Sequence, residues 1–207
     1  MRRLRLLCLH GFRGTGRGLS VQLAPLLVGQ ERNVELLCPD APAAEPGGFG
    51  WWNAQPIEGV APPGKHYEGW AETRAWASKF FAHEAPIDGV LGFSQGAALT
   101  ALLVGLRAAR LPGASQPPIA FDFAVLIGGF ASRDPEHAPL FESAFDLPSL
   151  HLIGRADRIV PPSVSLALAS RFAAPTLVEH EGGHVIPSTP EARAEFARFM
   201  GQRGAVE

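Results

Sequence analysis

Ser94, Asp157 and His184 have the residue types, and the order along the chain, that nucleophilic acyl transfer requires. A serine hydroxyl becomes a useful nucleophile only when a histidine takes its proton, and the histidine must be held by a carboxylate. Ser94 lies in Gly92-Phe93-Ser94-Gln95-Gly96, between the apolar run Gly89-Val90-Leu91 and the helix-like run from Ala97 to Val104. A Gly-x-Ser-x-Gly segment in that context reads as a strand, a strained tight turn and a helix, with the hydroxyl pushed out of the sheet. The turn crowds its own backbone, so only glycine two residues before and two after the serine leaves room. Asp157 follows the apolar strand pattern Leu150-His151-Leu152-Ile153 and a Gly154 turn, and His184 ends a Gly-Gly loop after Leu177-Val178-Glu179-His180.

Acyl transfer also needs donors for the oxyanion. The glycine-rich turn Leu9-His10-Gly11-Phe12-Arg13-Gly14-Thr15-Gly16 can aim backbone N–H groups at it, which assigns the oxyanion hole to Phe12 and to Gln95, the residue after the nucleophile. The same glycines miss the register of a dinucleotide fingerprint, and no Walker lysine follows, so nucleotide binding is set aside. His180-Glu181-Gly182-Gly183-His184 matches the zinc-protease pattern His-Glu-x-x-His. That chemistry needs both histidines on one helical face, and two adjacent glycines cost a helix about 2 kcal/mol. No metal and no cofactor are therefore expected. Trp51, Trp52 and Phe130 fall in rim loops and are assigned to substrate binding. Such a wall favours medium or long acyl chains.

The elements that must deliver these residues alternate along the chain. Strands are expected at 5–9, 34–38, 89–92, 121–127, 149–153 and 175–180, and helices at 18–28, 67–83, 95–109, 162–173 and 190–200. Strands apolar on both faces and separated by helices predict an α/β fold, with about six mainly parallel strands and helices on both faces. Two long excursions, 39–66 and 131–147, leave the carboxyl ends of strands, where open α/β sheets bind ligands. The 207 residues are read as one domain, with 201–207 a frayed tail. At 46% hydrophobic, 18% charged and net charge -2, the chain has no electrostatic pull toward nucleic acid. Cys8 and Cys38 sit in apolar runs and read as free thiols. The start, Met1-Arg2-Arg3-Leu4-Arg5, has too short an apolar stretch after it for a signal peptide, and no apolar run can span a membrane, so a cytoplasmic protein is expected.

Together the motifs resemble the family of serine hydrolases, the group that includes the ovarian-cancer-associated protein 2 type of animals, within the α/β-hydrolase superfamily. The resemblance rests on Leu9-His10-Gly11-Phe12, Gly92-Phe93-Ser94-Gln95-Gly96-Ala97, Ile127-Gly128-Gly129-Phe130, Ile153-Gly154 with Asp157 and Val160-Pro161, and His180 to His184 with Pro187. It implies an α/β-hydrolase fold, a Ser94, Asp157 and His184 triad, and cofactor-free hydrolysis of a small-molecule acyl ester or thioester. Gly128 departs from the serine that relatives tend to carry there, a change expected at the pocket floor rather than at the triad. A catalytically silent hydrolase fold used for binding is the alternative of another class, but such a protein would normally have lost a triad position. No insertion is large enough for a separate lid domain. Oligomeric state is not legible.

Overall fold

The computed structural model describes residues 2–59, 64–109 and 119–204. At its centre six strands run parallel in the order β10-β9-β8-β7-β1-β2. They are β1 (Leu4–Leu9), β2 (Val34–Leu37), β7 (Gly89–Phe93), β8 (Phe123–Ile127), β9 (Ser149–Gly154) and β10 (Pro175–His180). The remaining numbers belong to two small antiparallel hairpins in and just beyond the first excursion. These are β3 (Ala43–Glu45) with β4 (Gly48–Gly50), and β5 (Asn53–Pro56) with β6 (Lys65–Glu68).

Alternation along each buried strand divides the core in two. Leu7, Leu9, Val90, Ala124 and Leu126 face one cluster with residues of α2 (Trp70–Glu84), α3 (Gln95–Ala108) and α4 (Pro162–Ala169). Leu6, Cys8, Leu91, Val125 and Leu152 face the other, with α1 (Gly16–Leu23) and α5 (Pro190–Gly204). Successive side chains of a strand point to opposite faces, so helices cover both sides as the apolar runs foretold. α3 is buried along almost its whole length, which explains why its sequence is apolar all round rather than striped.

The differences from the expected elements have local causes. Tyr67 belongs to β6, not to a helix, because its backbone pairs with Ala54 and Gly69 adopts a left-handed φ of 90° before α2 begins. α4 stops at Ala169, where the Ser170 and Arg171 amides turn back onto Leu166 and Leu168. The supposed tail is helical as far as Gly204, while residues 205–207 lie outside the described set. The second excursion holds a 3-10 helix, Pro135–Phe141, capped by the Asp134 carboxylate. Among the described residues no helix is long and apolar enough to cross a membrane.

Candidate active site

Ser94 follows directly on β7, in a strained conformation with φ 56° and ψ -119°. The two flanking glycines make the strain tolerable. A Cβ on Gly92 would lie 2.2 Å from the Gly96 carbonyl oxygen, and one on Gly96 would lie 1.9 Å from the Leu9 oxygen. Neither could be accommodated without moving backbone. The turn is tied down on both sides: Ser94 N–H donates to Ile127 O at 2.9 Å, and Ser94 O accepts from Ala97 and Ala98 at 2.9 and 3.1 Å.

The sheet brings the three residues of the expected triad into hydrogen-bonded contact. The Ser94 hydroxyl lies 2.8 Å from His184 Nε2, and His184 Nδ1 lies 2.6 Å from Asp157 Oδ2. The other carboxylate oxygen of Asp157 accepts from the Ile159 and Val160 amides, both at 2.9 Å. Burial pushes the Asp157 carboxyl up, but the bonds from His184 and from those two amides outweigh it and hold the group below its ordinary value. An ionised Asp157 fixes the imidazole with a proton on Nδ1 and a bare Nε2 facing the serine.

The loops carrying Asp157 and His184 are sewn together. Arg155 N–H donates to His180 O and Ala156 N–H to Gly182 O, while the Arg155 side chain bridges Glu179 and Glu181. Gly154 is needed where the loops touch, since a Cβ there would meet the Gly183 oxygen at 2.3 Å. His180 closes β10, and its Nδ1 accepts from Gly182 N–H. The His-Glu-x-x-His segment is thus strand end and loop, without the helix that its zinc reading would require. Gly128 corrects one expectation. It lies behind the triad rather than on a pocket floor: a Cβ there would come 3.0 Å from His184 Cε1 and 3.5 Å from Asp157 Oδ2.

The turn after β1 comes up beside the serine, with the Cβ position of Gly11 3.3 Å from Ser94 Cβ. His10 organises it. Its Nε2 accepts from Ala41 N–H and its Nδ1–H donates to Gly11 O, an arrangement that requires a neutral ring, and burial does push this imidazole below its ordinary value. Hairpin β3–β4 braces the same turn, with Phe49 N–H donating to Gly14 O. Phe12 follows Gly11 in this turn, and Gln95 follows Ser94 at the start of α3.

A cavity of about 850 Å³ opens from Ser94. Of the three aromatic residues assigned to it, Trp52 and Phe130 line it and Trp51 does not. Trp51 is fully buried, its indole N–H donating to His10 O and its ring packed on His10 and Trp76. Trp52 instead stacks on Tyr67 at 4.6 Å, nearly parallel. The Gln95 side chain locks the pair in place, its Oε1 accepting from Trp51 N–H and its Nε2 donating to Trp52 O. Sequence reasoning missed the rest of the wall. Hairpin β5–β6 contributes Asn53, Ala54, Lys65 and Tyr67, and one face of α4 contributes Ser163, Val164, Ala167 and Leu168. Their helical spacing is visible in the sequence, but nothing there says that the face meets a cavity and not the core.

The family description "Serine hydrolase (FSH1)" matches residues 1–196. The chain belongs to that family. Esterase OVCA2 of Xenopus tropicalis is 33% identical over 217 residues, covering 95% of this chain and 92% of its own. Esterase OVCA2 of Homo sapiens is 33% identical over 224 residues, covering 97% of each. Among solved structures, Zea mays acyl-protein thioesterase 2 superposes with a TM-score of 0.72 at 21% identity, over 99% of this chain and 95% of that one, which places the fold among the α/β hydrolases. This family member is an enzyme, and carboxylic ester hydrolysis fits its site.

Proposed function

We propose that the enzyme cleaves carboxylic esters of medium or long acyl chains through an acyl-enzyme on Ser94. The observation that carries this reading is the continuous hydrogen-bonded line from the Ser94 hydroxyl through His184 to Asp157, on a serine held in a strained turn. His184 Nε2 takes the hydroxyl proton as Ser94 Oγ bonds to the carbonyl carbon, and Asp157 stabilises the imidazolium so formed. The Phe12 and Gln95 N–H groups donate to the tetrahedral oxyanion. When the carbon–oxygen bond of the ester breaks, or the carbon–sulfur bond of a thioester, His184 returns the proton to the departing alcohol or thiol. Water, deprotonated by the same nitrogen, then releases the acid and regenerates Ser94.

The chain-length preference rests on the wall: Trp52, Phe130, Val164 and Leu168 offer apolar surface beyond the reacting carbon. Each further buried methylene contributes at most about 0.8 kcal/mol, or roughly fourfold in kcat/KM. The test is kcat/KM for para-nitrophenyl esters from acetate to decanoate, with a fluorophosphonate probe mapped by peptide sequencing. A rising series with the label on Ser94 is expected. A flat or falling series overturns the chain preference, and a label elsewhere overturns the nucleophile.

A further inference from the structure

The cavity that opens from Ser94 is charged with one sign only. Its described lining includes Lys65, Arg133 and Arg171 and no aspartate or glutamate, in a chain whose carboxylates outnumber its Lys and Arg by 20 to 18. Two of the three cations lie toward one end. Arg133 and Arg171 line a second hollow that adjoins the cavity and that Ser94 does not reach, so both stand at the junction remote from the serine. The backbone N–H of Lys65 donates to the Arg133 carbonyl at 2.9 Å, which sets the two residues side by side in the wall. Arg171 follows the end of α4, whose Val164, Ala167 and Leu168 line the cavity. Its Nη1 donates to Phe141 O, which holds the guanidinium at the junction.

Two acids, Asp134 and Glu142, line the second hollow. Asp134 is buried there and engaged, one oxygen accepting from Tyr67 N–H and the other from Glu136 N–H. Glu142 is exposed. Polar donors accompany the cations: Ser132 and Asn53 line the cavity with them. A cavity with a nucleophile, apolar walls and cations that include two at its junction with a second hollow fits a substrate that is apolar beside the scissile bond and anionic farther out.

We infer that the enzyme selects esters or thioesters bearing an anionic group at the end remote from the scissile bond, recognised by Lys65 and Arg171. This rests on the Ser94 reading and specifies its substrate. The anion has two possible sources of the same chemistry: a carboxylate ending the acyl chain, or a phosphate on the leaving group.

The experiment compares matched pairs. One arm sets mono-para-nitrophenyl suberate, with its free carboxylate, against its methyl-capped diester; the other sets octanoyl coenzyme A against the N-acetylcysteamine thioester of octanoate. In one arm the anionic member should be favoured in kcat/KM by about tenfold, the scale of a hydrogen bond to a charged group. That ratio should shrink as salt is raised, since exposed cations are screened over about 8 Å at physiological ionic strength. It should also collapse in Lys65→Gln and Arg171→Gln, and the salt series on the unaltered protein decides the matter if a variant fails to fold. The arm that responds identifies the source. Equal rates in both arms, or a preference that survives charge removal, overturn the inference while Ser94-dependent cleavage of the neutral esters leaves the nucleophile standing. If no ester is cleaved, calorimetric titration of Ser94→Ala with monomethyl suberate and with coenzyme A still decides it. Binding of one of them, weakened about tenfold by Lys65→Gln, supports the inference, and binding of neither overturns it.

Discussion

Between Gly92 and Gly96 the chain has almost no freedom, because hypothetical Cβ atoms at both glycines collide with backbone and Ser94 is anchored through its N–H and its carbonyl. The wall of the adjoining cavity is assembled differently. It draws on the turn after β1, hairpin β5–β6, the segment after β8 and one face of α4, none adjacent in sequence. The turn is held by contacts within a few residues and against the strand beside it. The wall depends on where several independent segments come to rest. Changes in the first should therefore affect every substrate alike, whereas changes in the second should alter which substrate is preferred.

The sharpest break in this contrast is at Asp157. Asp157→Asn should lower kcat by about 10⁴-fold for short and long esters equally, since the imidazole loses its tautomer and its counter-charge. Thermal unfolding of the variant near the parent midpoint would show that chemistry alone was removed. Near-native turnover would instead make Asp157 a turn residue.

The two adjacent tryptophans compare core with wall directly. Trp51→Ala should cost about 3–5 kcal/mol of stability by denaturant titration, because the ring is fully buried. Trp52→Ala should cost a similar amount, since Trp52 is buried in the same core, and should in addition flatten the acyl chain series, because Trp52 lines the cavity. If Trp51→Ala changed the chain series as much as Trp52→Ala does, the division between core and wall would fail. Gly96→Ala belongs with the turn. Forcing a Cβ to 1.9 Å from the Leu9 carbonyl oxygen should cost about 3 kcal/mol and reduce the rate for all esters together.

A smaller effect comes from a buried histidine that belongs to neither region. Burial lowers the His151 pKa from 6.5 to about 4, so the folded protein holds it neutral while the unfolded chain protonates it. Its contribution is fully present above the unfolded pKa and is lost as pH falls from there toward the folded value. Between pH 7 and pH 5 that amounts to about 2 kcal/mol. His10, His137 and His180, also lowered by burial, act in the same sense. Denaturant titrations at the two pH values should show the loss, and His151→Leu should reduce it; an unchanged slope would mean that the ring is protonated in the folded state.

The sequence by itself determined the sheet, its parallel sense and the placing of Ser94, Asp157 and His184. Strand and turn motifs are written in consecutive residues, and parallel strands carry whatever follows them to one edge. It could not separate Trp51 from Trp52, because both are aromatic residues in the same glycine-rich loop. Both are buried in the same core, and the packing of His10, Trp76 and Tyr67 lets only Trp52 reach the cavity as well. The same holds for Gly128, whose left-handed φ of 55° and place behind His184 appear only once β8, β9 and β10 lie side by side. The gathering of Lys65, Arg133 and Arg171 into the wall of one cavity was likewise left to the tertiary structure. These residues are far apart in the chain, and only the docking of a hairpin and a helix over the strand ends gives them a common neighbour.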